Sequence, residues 1–429
     1  MKRFGKTLLV LLKWILLACP AGIVIGAVTS LFAFSIAHVT EFRLEHTWML
    51  FGLPFAGLLI VFLYRVTGRG DDKGTNTVII AVREKKDIPL VNGPLIFVAT
   101  VLTHAFGGST GREGAALQLG GSIGDFAAKK LKLDSSDRRI MVMCSMSAAF
   151  SALFGTPLAA AILPMEFVNI GMVNYAALVP CVLASLTAHA VSVRLNIHTL
   201  AIPYEVERVP DLYSVAFTKA ILLGIACALV GILFVLCLHY SGSFFKSKIA
   251  NPYLRVFCGG CLVAALVFIL RTQDYIGLGE NVMAAAFEGK VVWYAFLLKI
   301  LFTCLTLETG FKGGEIVPSF FIGATMGCFL SGILGLPANL GAACGMCGVF
   351  CAITNSPFTS MIIAMELFGQ RGMGFFFIVI ALSYMLSDYY SVFSAQKFMY
   401  SKTKTKLIEY ISGDTFRRNK KSKQNEKGE

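Results

Sequence analysis

Long apolar blocks rather than strict alternation dominate the chain. They cover residues 8–37, 48–66, 94–106, 140–154, 157–170 and 176–193, then 215–240, 254–270, 291–307, 320–334, 342–353, 358–368 and 373–393. A bilayer core about 30 Å thick is crossed by roughly 20 residues of helix, so the longer blocks predict membrane spans. Several others hold only about 11–14 residues and predict helices that stop at mid-depth. Such broken helices are tolerated in lipid only where protein or a water-filled cavity satisfies the freed backbone groups. The pattern predicts an all-α polytopic membrane protein with broken, re-entrant helices and a permeation site where they end. The block 8–37 is too long for a signal peptide and has no clear cleavage pattern, so it reads as the first span.

Composition narrows the class further. Hydrophobic residues make up 56% and charged residues 15% of the 429, with a mean hydropathy of +0.71, against about 45–50% and about 25% in soluble domains. A soluble enzyme and a single-pass receptor are both excluded. The net charge of +13 is unevenly placed. Lys2, Arg3 and Lys6 open the chain, Lys129–Arg139 forms a basic loop, and the tail 401–429 carries Arg417, Arg418, Lys420, Lys421 and Lys423. The positive-inside rule puts both termini in the cytoplasm of a multi-pass protein of the cell membrane. A basic tail beside such a domain meets anionic lipid headgroups rather than nucleic acid. Two C-x-x-C spacings, Cys258–Cys261 and Cys344–Cys347, lie in apolar Gly-rich stretches without nearby histidine and read as buried thiols, not as metal or redox sites. No metal and no cofactor is expected.

The chain repeats itself. Gly155-Thr-Pro157 leading to Met165-Glu166-Phe167 returns about 200 residues later as Asn355-Ser-Pro357 leading to Met365-Glu366-Leu367. Upstream of each copy, Gly111-Arg112-Glu113-Gly114 leading to Leu119-Gly120-Gly121-Ser122 parallels Gly313-Gly314-Glu315-Ile316 leading to Ile322-Gly323-Ala324-Thr325. Two homologous halves are predicted, residues 1–205 and 206–400, followed by the tail. Repeated halves with broken helices describe many secondary transporters, most often with the halves inverted.

Three Gly-rich loops precede helices: Gly74-Thr75-Asn76, Gly111-Arg112-Glu113-Gly114 and Gly314-Glu315-Ile316-Val317. A helix start exposes unpaired N–H groups and the positive end of the macrodipole, and glycine permits close approach. Such sites attract an anion without the full charge that would hold it too tightly for turnover.

At these residues the sequence resembles the CLC chloride channels and transporters. Gly-Arg-Glu-Gly at 111–114, the Gly314-x-x-x-Pro318 element with its Gly323-Ala-Thr-x-Gly sequel, the Pro157 segment and the Tyr390-Ser-Val-Phe helix stand in family order. The resemblance implies a homodimer with one anion pathway per subunit, two inverted repeats in each, halide and proton as cargo, and no enzyme chemistry. It implies that Glu113 is a gating glutamate that occupies an anion site when ionised, with permanent pairing to Arg112 as the alternative. It implies that Tyr390, or adjacent Tyr389, donates its hydroxyl to the anion. Asn76 in place of a serine, and Glu315 at a position usually apolar, resemble the bacterial fluoride/proton antiporter branch. An asparagine amide offers two N–H groups where serine offers one O–H, which suits a strongly hydrated fluoride. Glu315 then relays protons, or is a satisfied structural carboxylate. Phe167 falls where chloride/proton exchangers carry an internal glutamate, with Glu166 beside it, and Glu166 and Glu366 read as structural or vestibule residues. Val317, where threonine is common in that branch, leaves chloride open.

Two rivals remain at this level. A passive chloride channel can be built on the same scaffold. Gly107-Gly-Ser109-Thr-Gly111 also matches G-x-S-x-G with His104 nearby, so an intramembrane serine protease is a remote alternative.

Overall fold

The computed structural model describes residues 2–84, 86–196, 206 and 209–416. Residue 205, where the two halves were expected to meet, and the tail cations Arg417, Arg418, Lys420, Lys421 and Lys423 lie outside the described residues. Among the described residues, the sixteen helices α1–α16 fall into two sets of eight. The first set is α1 (Lys2–Glu45), α2 (Leu53–Val66), α3 (Thr75–Glu84), α4 (Asn92–Ala105), α5 (Glu113–Lys130), α6 (Ser135–Phe154), α7 (Pro157–Phe167) and α8 (Leu178–Arg194). The second is α9 (Ala216–Lys248), α10 (Pro252–Leu270), α11 (Glu280–Phe287), α12 (Ala295–Leu307), α13 (Ile316–Leu334), α14 (Ala338–Thr354), α15 (Pro357–Phe368) and α16 (Met373–Leu386). Among the described residues, six helical segments are long and apolar enough to cross a bilayer. Six more apolar helices are too short to do so alone.

The sequence explains where these helices stop. Gly155 (φ 80°) and Asn355 (φ 58°) take the left-handed conformation at the C-termini of α6 and α14, which glycine and asparagine adopt most readily. Pro157 and Pro357 then start α7 and α15, where a missing N–H costs nothing.

Small residues bring the helices of each half together. Gly120 and Gly124 on α5 lie against Ser145 and Ala149 on α6, and Gly323 and Gly327 on α13 lie against Gly341 and Gly345 on α14. A Cβ on Gly323 would stand 2.7 Å from the carbonyl carbon of Gly345, so only glycine permits that backbone contact. A run of rings, Phe150, Phe154, Phe320 and Phe350, with centroids 5.0–5.2 Å apart, joins α6, α13 and α14 into one core.

Two expectations are corrected. The apolar block 373–393 does not continue as a Tyr390-Ser-Val-Phe helix: α16 ends at Leu386, and 390–393 is irregular backbone. The tail is not uniformly a solvated basic segment. β2 (Lys397–Tyr400) and β3 (Leu407–Ile411) form an antiparallel pair, and β2 runs parallel to β1 (Asn169–Ile170), so a small sheet joins the helical body. Lys402 is half-buried there, donating to Tyr384 O at 2.8 Å and Ser387 Oγ at 2.9 Å, where the C-terminus of α16 favours a cation. In the basic loop 129–139 two of the five cations are paired. Lys129 meets Asp87 at 3.1 Å and Asp125 at 2.9 Å, and Arg138 meets the same two carboxylates at 2.5 Å each.

Candidate ion pathway

The two motif loops meet at Gly111 and Gly314, which exchange backbone hydrogen bonds: Gly111 N to Gly314 O at 2.7 Å and Gly314 N to Gly111 O at 2.8 Å. Each glycine is followed by one residue and then by a helix, α5 after Arg112 and α13 after Glu315. The N-termini of α5 and α13 are therefore placed tip to tip. This pairing also corrects the repeat alignment by one residue: Gly111 corresponds to Gly314, Arg112 to Glu315 and Glu113 to Ile316. The later Gly120–Gly323 match already had that offset. The slip arose because Gly313-Gly314 offers two glycines to one motif.

A second reciprocal contact relates the halves. Glu166, near the end of α7, accepts from Phe358 N (2.9 Å), Thr359 N (2.8 Å) and Thr359 Oγ1 (2.6 Å) at the start of α15. Glu366, near the end of α15, accepts from Leu158 N and Ala159 N, both at 2.9 Å, at the start of α7. An exchange in which each copy does to the other what is done to it is the mark of a two-fold relation. Because each C-terminal end meets the other N-terminal end, α7 and α15 are antiparallel. Glu166 and Glu366 are thus helix caps. They seal the N-termini of α7 and α15, whereas neither Arg112 nor Glu315 caps its own helix with a side-chain bond. Helix geometry leaves the first N–H groups of α5 and α13 without intrahelical partners, and Pro318 reduces those of α13 to Ile316 and Val317 within its first three residues.

Glu113 is fully buried and folds back over the crossing. Its Oε2 accepts from Arg112 N at 3.1 Å and would lie 3.1 Å from a Cβ on Gly111. Its Oε1 has no hydrogen-bond partner among the described residues, and Arg112 Nε stands 3.8 Å away, a charge contact rather than a hydrogen bond. On the other flank, Glu315 Oε2 is likewise buried and without a partner, 3.6 Å from where a Cβ on Gly114 would be. Thr75 Oγ1 donates to Gly114 O at 3.3 Å and accepts from Gln118 Nε2 at 3.3 Å, tying the start of α3 to α5.

Glu315 opens into a cavity of about 400 Å³. Gly74 and Asn76 line it as expected, whereas Glu113 does not. Asn76 Oδ1 accepts from Ala395 N at 2.9 Å, and its Nδ2 donates to Lys73 O at 3.4 Å. The structure does not bring Tyr390 into this wall: its ring packs edge-on against Phe416, 5.9 Å between centroids, and Ser391 and Val392 line the cavity instead. Tyr389 packs on Phe398 and Tyr410, away from it. Phe416, stacked on His239 at 3.6 Å, completes the wall.

Sequence reasoning missed Gln118, His239, Lys246, Glu308 and Lys312, all of which line this cavity. Glu308 and Lys312 carried a usable signal, being ionisable residues in the short connection between the apolar blocks 291–307 and 320–334, beside the Gly314 motif. The protease constellation does not assemble: Ser109 Oγ bonds Thr303 Oγ1 at 3.1 Å, while His104 Nδ1 contacts Thr100 O at 2.9 Å. Cys344 and Cys347 are buried, Cys258 is half-buried and Cys261 exposed, all as free thiols.

The family profile described as Voltage gated chloride channel matches residues 55–388, most of the chain. The chain belongs to the voltage-gated chloride channel family. Within this CLC family it is 37% identical over 407 residues, 93% of this chain and 89% of the relative, to the chloride/fluoride channel protein of Pseudomonas syringae pv. tomato. The solved structure of a CLC-type fluoride/proton antiporter superposes with a TM-score of 0.87 at 34% identity, covering 90% of this chain and 98% of that one. A slow cyanobacterial Cl⁻/H⁺ antiporter superposes with a TM-score of 0.75 at 18% identity, covering 87% and 94%, a likeness of fold. The CLC fold is thus that of a polytopic all-α membrane protein, and the paired helix tips lie inside the matched region.

Proposed function

We propose that this chain is a proton-coupled halide antiporter, with fluoride as its preferred anion. The observation that carries the reading is the meeting of two uncapped helix N-termini at Gly111 and Gly314, with the Glu113 carboxylate lying over the crossing. An anion is favoured where N–H groups and helix dipoles converge. A carboxylate that occupies that place when ionised must leave it when protonated, which links one anion to one protonation event. Glu315, buried on the cavity flank, is assigned to the proton route, and Gly74, Thr75, Asn76, Arg112, Gly114, Ile316 and Val317 to the walls of the anion path. The preference for fluoride rests on Asn76 and Glu315 together with the likeness to a chloride/fluoride channel protein and to a CLC-type fluoride/proton antiporter.

The working unit is a homodimer in the cell membrane, both termini cytoplasmic, each subunit built of inverted repeats 1–205 and 206–400. The antiparallel exchange of caps by α7 and α15 supports inversion, because helices related by an axis along the membrane normal would run parallel. A passive channel is the second reading, favoured by the word channel in the name of the P. syringae relative.

Purified protein in liposomes, with external anion and pH recorded together, tests both. Antiport predicts that a fluoride gradient drives protons the opposite way, and that Glu113→Gln reduces this proton movement to the level of empty vesicles. Fluoride efflux with no proton movement in the wild type overturns antiport in favour of the channel. Unchanged proton movement in Glu113→Gln removes Glu113 from the gate.

A further inference from the structure

The cavity below Glu315 holds three carboxylates, Asp72, Glu308 and Glu315, and they are not equivalent. Asp72 is satisfied by its own loop: Oδ2 accepts from Gly74 N at 3.0 Å, and Oδ1 from Thr77 Oγ1 at 3.2 Å and Asn92 Nδ2 at 3.3 Å. A carboxylate accepting three such bonds is a turn-forming group, and protonating it would weaken them. Glu308, which follows the last turn of α12, differs. Among the described residues no hydrogen bond is made to its side chain, and it lines the cavity beside α9. Gly242 of α9 leaves room for it, since a Cβ there would overlap Glu308 Oε2. Most of the side chain is nonetheless enclosed, with Lys246 of α9, Lys312 and Arg255 of α10 as the surrounding cations. Lys73, His239 and Asp72 complete the ionisable groups of the cavity.

We propose that Glu308 is the proton-collecting carboxylate of this cavity, receiving protons from the aqueous mouth and passing them to Glu315. The inference rests on the antiport reading above. A volume of about 400 Å³ accommodates on the order of ten water molecules at about 30 Å³ each, enough to connect two carboxylates lining the same space. The step is proton transfer only. A hydronium at the mouth loses an O–H bond, becoming water, as one forms on Glu308. The Glu308 O–H then breaks as one forms on Glu315 through the intervening water, which returns Glu308 to its carboxylate with nothing oxidised or reduced. The neighbouring cations favour the ionised form of Glu308, so a proton it takes up is passed on and not held, and with no fixed donor its oxygens are free to accept and release one. Sequence supports the placement, because Glu308 and Glu315 stand seven residues apart in one connection between α12 and α13.

The test measures fluoride and proton fluxes together in liposomes for wild type, Glu308→Gln and Glu308→Asp. Glu308→Gln is expected to slow proton movement by about tenfold or more while fluoride still crosses, lowering the proton-to-fluoride ratio. Glu308→Asp, which keeps the carboxylate, is expected to restore most of that ratio. Should Glu308→Gln fail to elute as a single species, Glu308→Ala is read in the same way. A proton-to-fluoride ratio in either neutral variant equal to that of wild type overturns the assignment of Glu308 alone. Wild-type vesicles that pass fluoride without protons overturn the antiport reading, and this assignment with it.

Discussion

At Gly114 and Gly314 it is the missing side chain that acts. A Cβ on Gly314 would stand 2.7 Å from Gly114 N, and the atom in the way is backbone, which cannot swing aside. Gly314→Ala is therefore expected to cost about 1–3 kcal/mol through overpacking and to separate the helix tips. Both a lower Tm in detergent and lost anion flux should follow, and wild-type values of the two would contradict the close approach. Asn76 shows the opposite case, in which a side chain has a second duty. The sequence identified it as an amide able to face a hydrated anion. The structure adds that its carbonyl end is fixed by Ala395 N, while Nδ2 gives one N–H to Lys73 O and keeps a second. Asn76→Ser shortens the reach and removes the amide, so the fluoride-to-chloride flux ratio should fall. A ratio equal to wild type would take Asn76 out of selectivity.

Among helices, the instructive comparison is between sealed and open N-termini. The four tips of α5, α7, α13 and α15 carry the same dipole, yet Glu366 and Glu166 neutralise α7 and α15, and only α5 and α13 are left to an external anion. Replacing either glutamate by glutamine weakens two or three charge-assisted bonds, at a cost of about 0.5–2 kcal/mol for each cap. The two caps share the α7–α15 contact, so a double-mutant cycle of Glu166→Gln and Glu366→Gln followed by thermal unfolding should give a coupling term above zero. Strict additivity would mean that the caps act independently. Hydropathy alone passed over α3, α5 and α11. Their polar and small residues, Gln118 and Ser122 of α5 among them, are solvated by other helices and not by lipid, so their burial leaves no apolar block in the chain.

For the whole molecule, the family resemblance leads us to expect a homodimer. Cross-linking in native membranes should trap a species of twice 46.5 kDa, whereas a monomer at every protein-to-lipid ratio would contradict it. The sequence by itself determined the polytopic helical class, the glycine-marked helix starts, the internal repeat and the motif glutamates. These follow from local rules: lipid demands apolar length, a broken helix demands special residues at its ends, and a duplicated segment keeps its order. The tertiary structure alone decided which of these groups meet. Gly111 finds Gly314, Asn76 finds Ala395 and His239 finds Phe416 across roughly 175–320 residues of chain. It also showed the irregular backbone after α16, the cavity that Glu308 shares with Glu315, and the one-residue shift that places Arg112 opposite Glu315. Separation along a chain sets no distance in space, and a buried polar group reveals its partner only after packing has chosen its neighbours.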